Sequence, residues 1–325
     1  MPMLVTGDWH LDESPQNAYR WQTLKRLLRY VLKTPSVDTL AILGDLTSAK
    51  DHHSAALTNL VVEFLSAFAE RVRVIVLRGN HDAADTSTPF FQFVHLLPNV
   101  DFIHEPTTVG NDLYLPWAAN VKDWDSLALS GYDTIYAHNT FSGAKGSSGF
   151  VLSGFDVSIF PDNARVISGD VHVPQQVGPV TYVGAPYTVD FGDTFTPRVL
   201  LVEPTSMRSF KMPGPRKVLI EITDLYKLNL LKAPPGDIAK IRVHVPPEES
   251  SNWQEIRRDV RAWGAAQGID VWAVIPVTQQ GLSLPLASSK RHILSDSELV
   301  RAYAERAKVD AATTDAGVKL CEEVA

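Results

Sequence analysis

Apolar runs alternate with helix-like stretches over the first quarter of the chain. The runs typical of buried strands are MLVTGD, DTLAILGD and VRVIVLRGNHD, which begin at residues 3, 38 and 72. Between them lie NAYRWQTLKRLLRYVLKT, which places Trp21, Leu24, Leu28 and Val31 at helical spacing, and SAALTNLVVEFLSAFAERV. This β-α-β-α-β order predicts a sheet with parallel strands and with helices on its faces.

Later strands are predicted to be short and closely spaced, as in a more antiparallel or mixed sheet. Their sequences are DLYLPW, YDTIYAH, RVISGDVH, VTYVGAP and RVLLVEP. KMPGPRKV, at 211–218, breaks the pattern with two prolines and a glycine and indicates a domain boundary. Beyond it, AKIRVHVP, WQEIRRDVRAWGAAQ and GIDVWAVIPV are typical of a strand, a helix and a strand.

The C-terminal part begins with a helix-capping signal, SDSE at 295–298, and continues in an Ala-rich stretch that is predicted to be helical. We therefore predict three parts. They are a main domain at 1–210, a small α/β capping or DNA-binding domain at 217–290, and a helical segment at 295–325 that could dock a partner.

Composition indicates a globular protein. Hydrophobic residues make up 45% of the 325 positions and charged residues 21%, and no apolar run approaches the roughly 20 residues that a membrane-spanning helix needs. MPMLVTGDWH has neither a basic segment nor a cleavage site typical of an export signal, so we expect a cytoplasmic protein.

The net charge of −7 is unevenly distributed. Residues 1–204 carry 13 Lys and Arg against 22 Asp and Glu, whereas residues 205–325 carry 17 against 15. The overall charge argues weakly against binding nucleic acid by bulk electrostatics. An acidic first part is suited to holding cations.

Side chains of the metal-binding type follow five of the predicted strands. They are Asp8 with His10 in GDWH, Asp45 in LGD, Asn80 with His81 and Asp82 in GNHD, His138 in IYAH, and Asp170 with His172 in GDVH. Ligands bind at the carboxyl ends of the strands in open α/β sheets, so these clusters are expected to converge.

Each cluster taken alone has an ordinary explanation. A Gly-Asp pair after a strand is most often a turn or a helix cap. Asp170 and His172 are two apart, and in an extended chain residues i and i+2 point to the same face, so both side chains could reach one point. Five clusters that repeat the same strand-end pattern favour a metal site over five unrelated turns.

In this order the five clusters resemble the signature of the calcineurin-like metallophosphoesterases: D-x-H, G-D, G-N-H-[D/E], H and G-H-x-H. The resemblance covers about the first 195 residues. It implies an α/β fold of the α+β-like four-layer sandwich type, in which helices flank two mixed β-sheets, with a smaller C-terminal α/β capping domain and a helical tail. YVGAPYTVDFGD, at 182–193, further resembles a segment of the SbcD-like DNA repair exonuclease subunits.

Carried over motif by motif, the resemblance implies two divalent metal ions. One ion would be held by Asp8, His10, Asp45 and His172, and the other by Asp45, Asn80, His138 and Asp170. Asp45 would bridge the ions at about 3.5–4 Å, a spacing at which both can bind one phosphate. The resemblance favours Mn²⁺, with Mg²⁺, Fe²⁺ and Zn²⁺ as alternatives for this mixture of oxygen and imidazole ligands.

His81 and Asp82 are the predicted catalytic residues. In the resembling family the histidine of GNHD lies beside the substrate phosphate, so His81 would give a proton to the leaving oxygen. Asp82 could orient His81 and stabilise its imidazolium form, or it could cap a helix, and the sequence leaves both roles open.

Asp170 stands where the family pattern has a histidine. With Asp8 and Asp45 it would offset three of the four positive charges of two divalent ions. We therefore expect a more oxygen-rich second site that favours manganese or magnesium over zinc.

The motifs indicate phosphoester hydrolysis without identifying the ester. The first hypothesis is a DNA exonuclease or endonuclease of the SbcD type, acting in DNA repair, recombination or replication. It would work with an SMC-like coiled-coil ATPase, similar to SbcC, docked on the C-terminal segment. A homodimer is left open, and no membrane partner is expected. The alternatives are a phosphoesterase for small molecules or phosphoproteins, and a non-catalytic scaffold on the same fold.

Overall fold

The computed structural model describes residues 2–83, 88–124, 127–225, 228, 234–278, 304, 313–316 and 318–319. The chain divides into two compact units, Met1–Thr278 and Gln279–Ala325. The helix predicted for 295–325 and the predicted domain end at 290 lie outside the described residues, apart from the few given above. No helix in the described part of the chain has both the length and the apolar character needed to cross a membrane.

The elements follow the predicted order closely in the first part of the chain. The described strands are β1 (Met3–Thr6), β2 (Thr39–Leu43), β3 (Arg73–Leu77), β4 (Val100–Ile103), β5 (Thr107–Val109), β6 (Asp112–Leu115), β7 (Thr134–His138), β8 (Val166–Gly169), β9 (Gln175–Val177), β10 (Val180–Tyr182), β11 (Arg198–Val202), β12 (Met207–Lys211), β13 (Lys217–Ile222), β14 (Ile238–Val245) and β15 (Asp270–Thr278). The described α-helices are α1 (Ala18–Lys33), α2 (Ala55–Ala69) and α3 (Trp253–Ala266).

The first sheet has the strand order β12-β11-β1-β2-β3-β4. β1 to β4 pair in parallel, which confirms the predicted β-α-β-α-β unit, whereas β11 and β12 pair antiparallel. Successive residues of a strand point to opposite faces. In β1, Leu4 therefore packs in the core formed with α1 and α2, and Val5 packs in the core between the two sheets.

The second sheet has the order β5-β6-β7-β8-β10-β9, with parallel inner strands and antiparallel edge strands. Its inner face meets the first sheet through residues such as Tyr136 and Ile167. Its outer face packs against two short 3₁₀ helices, Val121–Trp124 and Val157–Ile159. Two mixed sheets flanked by helices confirm the predicted fold class.

A helix start and an edge strand illustrate which elements the local sequence predicts and which it does not. α2 begins after Ser54, whose hydroxyl oxygen accepts a hydrogen bond from the Leu57 amide at 3.0 Å, as is usual for a serine N-cap. β4, β5, β9, β12 and β13 were not predicted. The sequence MRSFK of β12 lacks an alternating apolar pattern because this edge strand is largely exposed.

A third sheet, in the order β13-β14-β15, is entirely parallel among its described strands. It packs with α3 around a separate core that includes Ile241, Val243, Val260 and Trp263. The strand, helix and strand predicted beyond the proline-rich boundary are therefore present. The function of this module and the predicted domain limits stay predictions.

Candidate metal centre

The predicted ligands come together at the carboxyl ends of five strands. β1, β2 and β3 precede Asp8, Asp45 and Asn80 respectively, β7 ends at His138, and β8 ends just before Asp170. Because β1, β2 and β3 are parallel neighbours, as are β7 and β8, their following loops share an edge of each sheet.

Several of these residues have a left-handed backbone, which side-chain-bearing residues adopt rarely. The φ angles are 53° at Asp8, 41° at His10, 57° at Asp45 and 76° at Asp170, and Asn99 is the remaining non-glycine residue with positive φ in the described part of the chain. Backbone strain of this kind clusters at functional sites. Hydrogen bonds between loops hold the backbone in this conformation, and one of them runs from the His10 amide to the Asp45 carbonyl oxygen at 2.9 Å.

The extended-chain argument for Asp170 and His172 was wrong. β8 ends at Gly169, and the positive φ of Asp170 turns the chain out of the extended conformation immediately. The Asp170 amide donates to Asp8 Oδ1 at 3.0 Å instead of continuing the ladder of β8. The two side chains reach the same region because a bond from another strand end supports a turn.

The first predicted ligand set is compact. His10 Nε2 lies 3.0 Å from His172 Nε2 and 3.3 Å from Asp45 Oδ2. Ligand atoms of Asp8, His10 and His172 all lie within 4.8 Å of one another. Two imidazole nitrogens and two carboxylates that face each other at these distances form a donor set suited to a divalent ion.

The second predicted set surrounds His138. His138 Nε2 lies 3.5 Å from Asp45 Oδ1 and 3.8 Å from Asp170 Oδ1. Its other ring nitrogen, Nδ1, lies 2.6 Å from the Leu43 carbonyl oxygen, which can only accept, so Nδ1 carries a proton and Nε2 faces the cluster. Asp45 thus presents one carboxylate oxygen to each set.

Two side-chain oxygen atoms have surroundings that are unfavourable without a bound cation and favourable with one. Asp8 Oδ2 is buried and has no hydrogen-bond partner in the described structure. Asn80 Oδ1 lies 3.1 Å from His138 Nε2 and 3.1 and 3.2 Å from the two Asp45 carboxylate oxygens. An amide oxygen beside a carboxylate is unfavourable unless the amide turns its NH₂ group there or a cation lies among these atoms.

The electrostatics of the cluster also fit a cation. Burial raises the pKa of Asp8 to about 7, although His138 and His172 act to lower it. Burial acts to lower the pKa of His138, but Asp45, Asp170 and Asp8 outweigh this effect and raise the pKa to about 9. Burial also raises the pKa of Asp45. Carboxylates held together out of water retain protons unless a positive charge lies nearby, and a divalent cation supplies that charge.

Glycines leave the space into which these side chains fit. A Cβ on Gly44 would overlap the His138 ring, and one on Gly79 would overlap Asp45 Oδ1 and lie 2.6 Å from the Asp45 backbone nitrogen. Gly44 also has a φ of 83°. The glycines of LGD and GNHD are therefore required by close approach between two strand-end loops.

His81 lies beside His10 and Asp45 and, unlike them, is partly exposed. Its ring centroid is 4.9 Å from that of His10. His81 Nδ1 lies 2.9 Å from the Ser48 carbonyl oxygen and its amide donates to Asp45 Oδ1 at 2.8 Å. The Nδ1 proton therefore points to Ser48, which leaves Nε2 available to a substrate.

Asp82 has different surroundings from those that a partner of His81 requires. Its side chain is fully buried and accepts hydrogen bonds from the backbone amides of Asp45 at 2.9 Å, Leu46 at 3.0 Å and Gly79 at 2.6 Å. Burial raises its pKa to about 6, with Asp45 adding to the effect. This geometry favours a structural role in joining two loops, and no hydrogen bond of the described structure supports the predicted role in orienting His81.

Sequence reasoning missed residues that hold the loop carrying His10. Arg20 Nη1 and Ser48 Oγ both donate to the His10 carbonyl oxygen, Ser48 at 2.8 Å, and the Tyr187 hydroxyl donates to the Trp9 carbonyl oxygen. Arg20 gave a signal, because it lies on the same helical stripe as the buried Thr23, Leu24 and Leu27. A charged residue on the apolar face of a helix needs a buried partner.

The structure is a mixed α/β fold with a candidate metal centre at its strand ends. Residues 1–274 match the calcineurin-like phosphoesterase family. The chain belongs to this family, whose members use divalent metal ions.

Comparisons with individual proteins give weaker similarities. The chain is 25% identical over 219 residues to Exonuclease subunit 1 of Enterobacteria phage T4, a match that covers 61% of this chain and 63% of that protein, less than two thirds of its length. Among solved structures it is similar to the nuclease MPE of Pseudomonas putida, with 19% identity over 46% of this chain and 67% of that chain and a TM-score of 0.30. It is also similar to GAP50, the anchor in the inner membrane complex of Plasmodium, with 12% identity over 67% of this chain and 90% of that chain and a TM-score of 0.38.

Proposed function

We propose that this chain is a dinuclear metal-dependent phosphodiesterase and that its substrate is DNA. The observation that carries the proposal is the position of Asp45, whose Oδ2 faces His10 at 3.3 Å and whose Oδ1 faces His138 at 3.5 Å. A carboxylate with one oxygen toward each of two donor sets is suited to bridge two ions. Asp8, His10, Asp45 and His172 would hold one ion, and Asp45, Asn80, His138 and Asp170 the other.

Two bound divalent ions would neutralise charge on the phosphate oxygens and make a water molecule acidic enough to act as a nucleophile. Hydrogen bonds within the protein hold the proposed ligand side chains in position. The bond from His138 Nδ1 to the Leu43 carbonyl oxygen fixes the ring, and the bond from the Asp170 amide to Asp8 Oδ1 ties two strand ends together.

His81 is the proposed general acid. Its Nδ1 proton is held by the Ser48 carbonyl oxygen. In the imidazolium form the ring carries a second proton on Nε2, which can pass to the leaving oxygen of a phosphodiester. The alternative role, direct metal ligation, is also compatible with its position, because a ring nitrogen of His81 lies within 4.8 Å of ligand atoms of His10 and Asp45.

DNA is the proposed substrate because the curated relative is called an exonuclease subunit. The same name supports a partner subunit, and we propose an SMC-like ATPase of the SbcC type that docks on the segment 295–325. A role in DNA repair, recombination or replication belongs to this proposal, as do Mn²⁺ as the working metal and the cytoplasm as the location.

The test compares three substrates: linear duplex DNA, single-stranded DNA and a chromogenic phosphodiester, each with Mn²⁺ or with a chelator. Wild-type protein should cleave DNA with Mn²⁺ only, and Asp8→Asn should lose this activity. His52→Ala is the control, because the His52 side chain is 93% exposed. Cleavage of the small diester alone would favour the small-molecule phosphoesterase, and no cleavage with ions bound would favour the scaffold.

A further inference from the structure

Asp170, which replaces the histidine of the family pattern, has a hydroxyl partner. The Thr140 hydroxyl donates a hydrogen bond to Asp170 Oδ2. Thr140 follows the end of β7 by two residues, and Asp170 follows the end of β8 by one. Since these strands are parallel neighbours with His138 opposite Gly169, the sheet itself brings Thr140 beside Asp170.

The backbone on both sides of this bond is held in place. The Asp170 amide donates to Asp8 Oδ1 at 3.0 Å, and the Thr140 carbonyl oxygen accepts from the Phe155 amide at 3.0 Å. Gly154 packs so closely on Thr140 that a Cβ there would overlap the Thr140 carbonyl oxygen. The hydroxyl and the carboxylate therefore meet in a fixed geometry.

The two carboxylate oxygens of Asp170 consequently differ. Oδ2 accepts the hydrogen bond from the Thr140 hydroxyl, whereas Oδ1 lies toward the other predicted ligands, 3.8 Å from His138 Nε2. A free carboxylate can ligate a metal ion through both oxygens, but a histidine ligand offers one nitrogen. A hydroxyl bound to Oδ2 occupies one lone pair of that oxygen and fixes the plane of the carboxylate, which favours ligation through Oδ1 alone.

We propose that Thr140 is a positioning residue that makes Asp170 a one-oxygen ligand, so that this aspartate offers a metal ion one donor atom, as the histidine of the family pattern would. The inference rests on the proposed metal centre and goes beyond it, because it assigns a role to Thr140. Partners of this kind typically change metal affinity by about 10- to 100-fold when they are removed.

The test is calorimetric titration of the full chain with Mn²⁺ alone. Wild-type protein should bind two ions. Thr140→Val should bind one ion normally and the other about 10-fold more weakly, and Thr140→Ser, which restores the hydroxyl, should match wild type. Thr140→Ala provides the same comparison if the valine variant does not fold. Thr108→Val is the matched control, because Thr108 is an exposed residue of the edge strand β5.

A second background separates positioning from a merely structural role. In Asp170→His, the ligand has one ring nitrogen for the metal without help from Thr140, so adding Thr140→Val should not weaken binding further. Normal binding of both ions by the single valine and alanine variants would overturn the proposal. So would an equal loss in both backgrounds. If wild-type protein binds no Mn²⁺, the proposed metal centre itself fails, whereas absent DNA cleavage with two ions bound contradicts only the nuclease function.

Discussion

The Nε2 atoms of His10 and His172 lie 3.0 Å apart, although 162 positions separate the two residues in the chain. Burial lowers the pKa of His10 well below its usual range, and repulsion from His172 adds to this effect. The uncharged form of the His10 ring is therefore favoured. Two rings that face each other in this way can share one proton between them, or they can both ligate one cation.

Metal binding at this cluster should depend on pH. At about pH 6, Asp8 with its pKa of about 7 and His138 with its pKa of about 9 both carry protons, which must leave before these groups act as ligands. The affinity for Mn²⁺ should therefore rise from about pH 6 to about pH 9 and then level off. Calorimetry in two buffers with different ionisation enthalpies would measure the affinity and the protons released. A constant affinity without proton release would contradict ligation by Asp8 and His138.

Gly79→Ala tests the close approach of the loops after β2 and β3. The new methyl group would meet Asp45 Oδ1 and the Asp45 backbone nitrogen, so the bridging carboxylate has to move. We expect the affinity for Mn²⁺ to fall by about 10- to 100-fold. Gly146→Ala is the matched control, because its methyl group would lie 3.6 Å from the Phe150 ring, an ordinary contact. Equal affinity in both variants would show that Asp45 does not need this space.

The strand-end positions of the ligands could be predicted from sequence because the signal is short-range. An apolar run fixes a strand, parallel strands share a carboxyl edge, and polar residues just beyond the run must lie there. This reasoning found the order of the first three strands and the gathering of Asp8, Asp45 and Asp170.

The backbone conformation of the site could not be predicted in the same way. Left-handed Asp8 and Asp170 depend on a hydrogen bond between residues 162 positions apart, and extended geometry was the default expectation from local pattern. The bonds that Asp82 accepts from the Asp45 and Leu46 amides, and the hydroxyl bond of Thr140, likewise come from contacts between loops. Such contacts leave no periodic trace in the sequence.

His81→Asn separates catalysis from metal binding. An asparagine amide can replace the Nδ1 bond to the Ser48 carbonyl oxygen, but it removes Nε2, the proposed proton donor. The rate of DNA cleavage should fall by about 10²- to 10⁴-fold, with both Mn²⁺ ions still bound at wild-type affinity. His52→Asn at an exposed site should leave both quantities unchanged. Loss of one ion in His81→Asn would instead identify His81 as a ligand.

Asp170→His tests the predicted metal preference. Histidine tolerates the left-handed conformation at this position better than most residues do, and it replaces a hard oxygen donor with an imidazole nitrogen. The ratio of Zn²⁺ to Mn²⁺ affinity should rise, by about 10-fold if the change acts on one of the two sites. Competition titrations of both proteins with the two metals would measure it. An unchanged ratio would argue that Asp170 does not ligate a metal ion.

Lys217 provides a test outside the metal centre. This residue of β13 is buried, its Nζ donates to the Val189 carbonyl oxygen at 3.0 Å, and Nζ lies 5.3 Å from the Phe191 ring and 5.0 Å from the Trp272 ring. Burial lowers its pKa from 10.5 to about 8, and repulsion from Arg20 adds to the shift. The aromatic rings and the carbonyl oxygen offset only part of the cost of burying the charge.

The sign of the resulting pH dependence follows from proton counting. Between about pH 8 and about pH 10.5 the unfolded chain keeps the Lys217 proton while the folded chain has lost it, so raising the pH across this window stabilises the folded state. Lys217→Met removes this contribution. Urea unfolding in chelator should therefore show the free energy of unfolding of wild type rising relative to that of Lys217→Met as the pH increases. Lys211→Met, at an exposed position of β12, should retain the wild-type slope. Parallel curves for wild type and Lys217→Met would mean that the folded protein does not disfavour the charged form of this lysine.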